Sequence, residues 1–237
     1  MKGRDAVIAK RIRANITKMQ IVRKATEMII EKGYSNTTFR GIAKELDMNS
    51  GLITFYFPSK DHLLALLVEK LCDFQRKLIA EEIDEGISSV LAICLELMTM
   101  AAAAEEEEIA KDFFVSSYQS NMCLEIIQKN DCERAKEVFG SFNPGWSENN
   151  FKEAETLVSG IEYATLNTNA NSAPLETRIA GALNAILSIY NVPAETRAIK
   201  IEKVLNMDYR RLGRRIFREF QEFIESENRS DFEKLLD

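Results

Sequence analysis

The sequence has little of what enzymes, metal proteins and secreted proteins usually carry. Its 237 residues include one histidine, His62, and four cysteines, none of them spaced as a Cys-x-x-Cys pair. Metal sites and catalytic centres need several ligands or bases at fixed spacing, and no HExxH motif or glycine-rich phosphate loop occurs. We therefore expect no enzyme, no metal and no cofactor. We expect the cysteines to be buried thiols in a reducing compartment.

Long apolar runs are also missing. No run approaches the roughly 20 residues that a membrane-spanning helix needs. Charged residues recur through residues 1–13, which leaves no apolar core for a signal peptide. We expect a cytoplasmic protein without membrane contact. The alternation typical of strands is absent, whereas helical periodicity recurs along the chain, so the predicted fold class is all-α.

The net charge of −6 conceals two unlike parts. Residues 1–65 hold twelve Lys and Arg against six Asp and Glu, and the remainder holds nineteen against thirty-one. Contact with DNA phosphates needs only a local positive face, and an acidic body would help to orient that face towards DNA. A basic end on an acidic body is therefore compatible with nucleic-acid binding.

Residues 33–62, GYSNTTFRGIAKELDMNSGLITFYFPSKDH, predict two short helices joined by a turn. Thr37 is a candidate N-cap of the first helix, and Asn49 of the second. An apolar face on the first helix is formed by Phe39, Ile42, Ala43 and Leu46. The second helix is predicted to pack on that face through Leu52, Ile53 and Phe57. Ser59 is predicted to cap a third helix that begins at Lys60.

Such a pair of helices can place the second one in a DNA major groove. Its outer side carries small or flat groups, so its backbone can approach DNA closely. Phe55 on that side either packs against Tyr34 or the next helix, or contacts a thymine methyl group. The predicted DNA-binding residues are Thr38, Arg40, Asn49, Ser50, Gly51, Thr54, Phe55, Tyr56 and Lys60.

This stretch resembles the DNA-binding region of the tetracycline-repressor (TetR) family of transcriptional regulators. The matching residues are Gly33-Tyr34, Thr37-Thr38, Ile42-Ala43, Ser50-Gly51, Ile53, Tyr56-Phe57-Pro58-Ser59-Lys60 and Leu63-Leu64, without insertions. Asp47 stands where the family usually has a turn Gly, and Asp tolerates the left-handed conformation better than most residues. Thr54 stands where the family usually has a Tyr that touches a phosphate, and its hydroxyl has a shorter reach.

The rest of the chain predicts further helices around a helical body. They cover residues 17–32, 60–84, 87–104, 109–119, 121–139, 148–168, 175–191, 194–206 and 208–226. Residues 1–14 suggest a solvated tail, a helical extension or an arm laid on DNA. The four acids 105–108 suggest a solvated face, a helix start or the rim of a site for a cationic ligand. The arginines of the last helix suggest a solvated or acid-paired face, or a second nucleic-acid patch.

The resemblance implies a DNA-binding domain at 15–75, with its helix-turn-helix at about 38–57, and an effector-binding and dimerisation domain at 76–237. It implies a homodimer that leaves a double-stranded operator when a small-molecule effector binds. Candidate pocket residues are Cys94, Met98, Phe113, Phe114, Tyr118, Met122, Trp146 and Tyr163. Candidate dimer-interface residues are Leu157, Ile161, Ile179, Leu183, Ile186, Leu187 and Tyr190.

Two other functions stay open at this point. An all-helical enzyme would need catalytic residues that the sequence does not offer in any recognisable pattern. An all-helical protein-interaction scaffold would keep the N-terminal fold without binding specific DNA, and the departures at Asp47 and Thr54 leave room for it. Gly160 and Gly181 lie inside predicted helices, where Gly costs about 1 kcal/mol relative to Ala, so both suggest a close helix–helix approach.

Overall fold

The protein is all-α, as predicted. The computed structural model describes residues 2–83, 86 and 89–236. Within them the α-helices are α1 Lys2–Lys32, α2 Phe39–Glu45, α3 Ser50–Tyr56, α4 Asp61–Glu82, α5 Val90–Glu106, α6 Glu108–Gln119, α7 Asn121–Phe139, α8 Glu148–Leu166, α9 Leu175–Ile189, α10 Ala194–Leu205 and α11 Tyr209–Leu236. None of these helices combines the length and the apolar character needed to cross a membrane.

The first and last helices are longer than their apolar patterns predict. Helix α1 begins at Lys2, so the helical extension, one of the interpretations of residues 1–14, is confirmed, and the arm laid on DNA stays a prediction. Helix α11 runs to Leu236, ten residues beyond the predicted end. Charged residues recur through both extensions, so the periodicity of apolar residues gives little signal there.

The body is built around α5, which is apolar on most of its surface. Helix α11 packs most closely against it, and Gly213 is the residue that permits this approach. A Cβ atom at Gly213 would lie 2.9 Å from the carbonyl oxygen of Thr99 and 3.0 Å from the amide nitrogen of Ala103. Helix α11 also packs against α1 and α4, which joins the two ends of the chain.

The arginines of α11 pair with acids of neighbouring helices. Arg210 and Arg214 contact Glu106 at the end of α5, and Arg215 contacts Glu82 at the end of α4. Glu105 pairs with Arg178 of α9. The acid-paired face predicted for the arginines is therefore confirmed. The carboxylates of Glu105 and Glu106 are occupied by arginines of the chain itself.

Candidate DNA-binding surface and the cavity of the body

The two short helices are fixed by side-chain caps and by one left-handed residue. The hydroxyl of Thr38 accepts a hydrogen bond from the amide of Gly41 at 3.0 Å, so Thr38 is the N-cap of α2 and the prediction of Thr37 is wrong. Thr37 is buried, and its hydroxyl donates to the carbonyl of Gly33. Asp47 takes the left-handed conformation with φ of 51°. Asn49 caps α3 by accepting from the amide of Gly51 at 2.7 Å, as predicted.

The entry to α4 differs from the sequence-based prediction. The helix begins at Asp61 rather than Lys60, and Lys60 holds the N-cap position without a side-chain cap. Ser59 contributes its carbonyl to the amide of His62. Its hydroxyl lies 2.9 Å from Nδ1 of His62, so Ser59 orders the turn without capping the helix.

Helix α3 turns a large aromatic ring towards solvent. The Phe55 side chain is 78% exposed, so the prediction that it packs against Tyr34 or the next helix is wrong. Its ring meets the Tyr56 ring edge-on with centroids 5.3 Å apart. Leu52 was predicted to pack on α2 but is 38% exposed, whereas Ile53 and Phe57 are buried as predicted.

The predicted DNA-binding residues form a continuous accessible surface over α2, α3 and the start of α4. The exposed ones are Thr38, Arg40, Asn49, Gly51, Thr54 and Phe55, and the half-buried ones are Ser50, Tyr56 and Lys60. The Thr54 hydroxyl donates to the carbonyl of Ser50 at 3.2 Å, which holds it along the helix surface. No bulky side chain other than Leu52 and Phe55 stands out from α3, so its backbone is open to close approach.

Lys60 supports this surface from the side. Its ammonium group donates to the carbonyl of Tyr34 at 2.5 Å and lies 3.8 Å from the centroid of the Tyr34 ring. Partial burial lowers the Lys60 pKa, while the carboxylates of Asp112 and Asp61 oppose that shift. The Tyr34 hydroxyl donates to Asp61, and burial together with this bond raises the Tyr34 pKa. Lys60 thus holds the turn before α2 against the start of α4.

A second contact joins that turn to the body. The Asp112 carboxylate on α6 accepts hydrogen bonds from the amide of Ser35 at 2.8 Å and from the Ser35 hydroxyl. Gly33 has φ of 87°, and a Cβ atom there would lie 2.6 Å from the Asp112 carboxylate. We call Gly33, Ser35 and Asp112 the corner contact. It ties the turn between α1 and α2 to α6.

A cavity of about 60 Å³ lies in the body between α5, α7, α8 and α9, with Tyr118 of α6 at one side. We call it the body cavity. Four carboxylates line it, from Glu96, Asp131, Glu155 and Glu162, together with the guanidinium of Arg134. A smaller cavity of about 40 Å³ between α4, α5, α6 and α7 shares Glu96, Met100, Tyr118 and Asp131 with it.

Three of the four carboxylates have partners within the described part of the chain. Arg134 donates to Glu96, Tyr118 donates to Glu162 at 2.9 Å, and Tyr190 donates to Glu155. Burial raises the pKa of Glu155 to about 7 and those of Glu162 and Asp131 well above their usual range. Neighbouring carboxylates raise the pKa of Asp131 further, since like charges disfavour ionisation.

Comparison with known proteins agrees with this geometry. The model of the bacterial regulatory proteins of the tetR family matches residues 21–67, which cover the second half of α1, α2, α3 and the start of α4. Residues 21–67 are thus similar to the DNA-binding domain of the tetR-family regulators.

Two HTH-type transcriptional regulators are similar to the chain over a longer stretch than that domain. The HTH-type transcriptional regulator HbdR of Aromatoleum sp. (strain CIB) is 30% identical over 105 residues, 44% of this chain and 44% of its own length. The probable HTH-type transcriptional regulator YttP of Bacillus subtilis (strain 168) has the same identity and coverage. The match therefore spans less than half the length of either relative. A crystal structure of RolR without ligand shares the fold, with a TM-score of 0.56 and 16% identity over 77% of this chain and 95% of RolR.

Most of the predicted pocket residues lie outside the two cavities of the body. Phe114 and Tyr118 line them, but Cys94, Met98 and Phe113 are buried in the core. Trp146 packs edge-on against Phe151. Met122 also lies away from the lining of both cavities, and the Tyr163 hydroxyl accepts from surface amides of Gln119 and Asn167. Apolar periodicity selects core and cavity residues alike, which explains the error.

The cavity carboxylates were missed, although one of them had a signal in the sequence. Glu96 is the only charged residue between Ser89 and Ala104, in the most apolar helix of the chain. A lone acid in such a helix is costly to bury unless it has a partner or a function. The other three carboxylates lie on helices with many polar residues, where nothing in the pattern separates inward from outward acids.

The predicted dimer-interface residues divide into two groups. Ile179, Leu183, Ile186, Leu187 and Tyr190 are buried within the single chain. Their assignment to an intersubunit surface is wrong, because this stripe of α9 packs on the body's own helices. Leu157 is 55% exposed and Ile161 is half-buried, so both are open to a second subunit.

Raised carboxyl pKa values predict that the body loses stability as the pH rises. Glu155 has a pKa of about 7 in the fold, against about 4.3 in an unfolded chain. The folded state therefore binds more protons between these values, so the free energy of unfolding falls with rising pH. The stability that Glu155 contributes is fully present below its pKa in the unfolded chain, and it is lost as the pH rises through about 7.

Glu155→Gln should remove this part of the pH dependence, because Gln keeps an acceptor for the Tyr190 hydroxyl and cannot ionise. We expect the difference between the melting temperatures of the variant and the wild type to increase in favour of the variant from about pH 5 to about pH 8. Scanning calorimetry measures the difference, with Glu153→Gln on the exposed side of α8 as the control. A difference that stays constant with pH would show that Glu155 does not titrate in this range.

Proposed function

We propose that this chain is a homodimeric transcriptional regulator that binds a double-stranded DNA operator through α2 and α3. The observation that carries the proposal is the exposed face of α3, capped by Asn49 and presenting Phe55 with small neighbours. A helix of this kind fits a major groove, with its N-terminal part against the base edges. The protein would act as a repressor in the cytoplasm, next to the DNA it binds.

The electrostatics of the chain support a surface of this kind. Arg40 on α2 and Lys44 near its end are exposed, and Lys18 of α1 lies 5.7 Å from the centroid of the Phe57 ring below α3. These cations lie on α1 and α2, and α2 packs against α3, while the body is acidic. Phosphate contacts by such cations position a protein on DNA, and base contacts then supply sequence specificity.

Two copies would pack through the outer sides of α8 and α9. Leu157, Gly160 and Ala164 are exposed on α8, and Gly181 and Ala185 are exposed on α9. A Cβ atom at Gly160 or Gly181 would meet nothing within 4 Å among the residues that the structure describes. The close approach suggested by these glycines therefore has no intrachain partner, and a second copy would provide it in a four-helix arrangement.

The body cavity would hold the effector, and α6 would connect it to the DNA-binding surface. Tyr118 lines the cavity, and Asp112 on the same helix makes the corner contact. Six residues separate them, about 9 Å along the helix at 1.5 Å per residue. An effector that requires a shifted α6 would favour an arrangement unsuited to the operator. We prefer this function to the scaffold because both matched relatives are helix-turn-helix regulators.

Phe55→Ala tests the DNA-binding surface. We expect operator affinity to fall about tenfold, roughly 1–3 kcal/mol for a lost base contact, and affinity for random DNA to fall much less. The melting temperature should stay nearly constant, because the ring is 78% exposed and packs on little besides Tyr56. Fluorescence titration against operator and random duplexes at several salt concentrations measures both affinities and their salt slopes.

The matched control for Phe55→Ala is Ile199→Ala. Ile199 is exposed on α10, away from α3, so this change should leave both affinities and both salt slopes unaltered. Equal losses for operator and random DNA in Phe55→Ala, or a fall in its melting temperature, would remove Phe55 from base recognition. Binding that is insensitive to salt would count against DNA binding altogether.

A further inference from the structure

Helix α3 carries two large apolar side chains that lie open to solvent. Among the described residues, four large apolar side chains are exposed, and two of them, Leu52 and Phe55, belong to this helix of seven residues. Single exposed apolar residues are common on soluble proteins, whereas neighbouring ones mark a surface that binds something. The pair on α3 therefore needs a partner outside the chain.

Leu52 and Phe55 lie side by side on the helix. They are three residues apart, so their Cβ atoms are about 5–6 Å from each other. Gly51 next to them has no side chain, and the Thr54 hydroxyl is held along the helix by its hydrogen bond to the carbonyl of Ser50. Bases on one strand follow each other at about 3.4 Å along the axis. The two apolar groups therefore match bases that are one or two base-pair steps apart.

The hydrogen-bonding side chains that distinguish bases are missing from α3. Its residues Ser50–Tyr56 include no Arg, Lys, Asn, Gln, Asp or Glu, which are the types that recognise guanine, adenine and cytosine by their base edges. The side-chain oxygen of Asn49 accepts from the amide of Gly51 at 2.7 Å, so it is engaged in capping. Hydroxyls bond to several bases and discriminate little. The C5-methyl group of thymine is the apolar feature of the major groove that remains for α3 to recognise.

The charges next to the apolar pair favour DNA over a protein as the partner. Lys18 of α1 lies 5.7 Å from the centroid of the Phe57 ring, which directly follows α3. Arg40 and Lys44 are exposed on α2, and α2 packs against α3. Cations beside an apolar pair match a major groove, because phosphates border the groove and the base edges form its floor.

We infer that each half-site of the operator contains two thymines, one or two base-pair steps apart, and that Leu52 and Phe55 recognise them by their C5-methyl groups. The inference rests on the proposed function and deepens it, because it names the bases that α3 recognises. Leu52 is then a residue that determines specificity, which explains why it is exposed although its position in the apolar pattern predicted packing on α2.

A duplex selected by the protein itself serves as the probe. The full chain is incubated with synthetic duplexes of random sequence, and the retained ones are amplified until one sequence of high affinity emerges. Each of its thymines is then replaced in turn by deoxyuridine, which keeps the hydrogen-bonding groups of the base and lacks only the methyl group. We expect two thymines in each half-site at which this replacement lowers affinity about three- to fivefold, as for loss of one buried methyl group. The other thymines should show no effect in fluorescence titration.

Leu52→Ala and Phe55→Ala assign the two methyl groups to the two side chains. In Leu52→Ala, one of the two thymines should become replaceable by deoxyuridine with less than about a 1.5-fold change in affinity, while the other keeps its effect. Phe55→Ala should give the reverse pattern. The ratio of the two affinities within one variant does not depend on the fraction of folded protein. Ile199→Ala, at an exposed apolar residue of α10, is the control and should keep both effects.

The outcomes separate this inference from the proposed function. If a duplex is retained with salt-dependent affinity and no thymine responds to loss of its methyl group, the inference is wrong and DNA binding stands. If responding thymines exist but respond equally in Leu52→Ala and Phe55→Ala, other residues recognise them, and the roles given to these two side chains are overturned. If no duplex is retained, the proposed function is wrong and the inference fails with it.

Discussion

Gly181→Arg is expected to turn a dimer into a folded monomer and to lower operator affinity by about a hundredfold or more, because two linked DNA-binding domains bind far more tightly than one. Gly181 is exposed on α9, and no residue in the described part of its own chain lies within 4 Å of an added Cβ atom. In a symmetric interface the same patch faces its copy, so each new arginine would be buried near another positive charge. Sedimentation analysis and operator titration measure the two effects.

The same substitution is favourable in the single chain, which makes the experiment decisive. Gly inside a helix costs about 0.8–1 kcal/mol, so Arg should stabilise an isolated monomer slightly. Gly145→Arg, at another exposed glycine without close neighbours, should leave the dimer intact. Leu183→Asp should instead unfold the body, because Leu183 is fully buried within one subunit. A Gly181→Arg protein that is still a dimer would place the interface elsewhere.

The sequence was most informative where local chemistry determines structure. The N-cap Asn49 was identifiable because capping depends on single residue types, and the left-handed Asp47 was expected from the resemblance, since it stands where the family usually has a turn Gly. Helix α7 was predicted with its observed bounds and α6 within one residue, since apolar periodicity is clear in both. The sequence could not show which of the two adjacent threonines is the N-cap of α2, because Thr37 and Thr38 are equally good capping residues.

Surfaces and cavities were less predictable, because periodicity reveals an apolar stripe but not its partner. The stripe of α9 that contains Ile179 and Leu183 was assigned to a second subunit, and it faces the body of its own chain. The outer side of the same helix carries small residues, which have weak hydrophobic signals. The cavity depends on Glu155 and Glu162 pointing inward from a helix that also has outward acids, such as Glu153. Only the packing of α8 distinguishes them.

Helix α6 connects the body cavity to the proposed DNA-binding surface through the corner contact. Helix α6 carries Tyr118, bonded to Glu162 at the cavity, and Asp112, bonded to Ser35 at the turn before α2. A ligand in the body cavity that displaces Glu162 would break the hydrogen bond that Glu162 accepts from Tyr118. Helix α6 is thus held at both ends, so a shift at the cavity would be transmitted to the turn before α2.

Asp112→Ala is expected to uncouple the cavity from the DNA-binding surface. It removes both hydrogen bonds to Ser35, while Tyr118 and the cavity carboxylates are untouched. The affinity for the ligand should change by less than about twofold. The factor by which the ligand lowers operator affinity, typically about 5–150, should fall towards 1. The Ser35 amide should exchange with solvent about tenfold faster or more, because its hydrogen bond to the carboxylate is gone.

Three measurements on the Asp112→Ala variant distinguish a loss of coupling between the two sites from a loss of binding at either site. Ligand affinity reports the cavity, operator affinity with and without ligand reports the coupling, and hydrogen exchange reports the corner contact. Glu108→Ala, an exposed acid on the same helix, controls for loss of charge and helix propensity. If Asp112→Ala frees the Ser35 amide but operator release stays as large as in the wild type, the signal does not pass through the corner contact. The route through α4 would then be the one to test, because α4 starts directly after the DNA-binding surface and packs on α7, which carries Asp131.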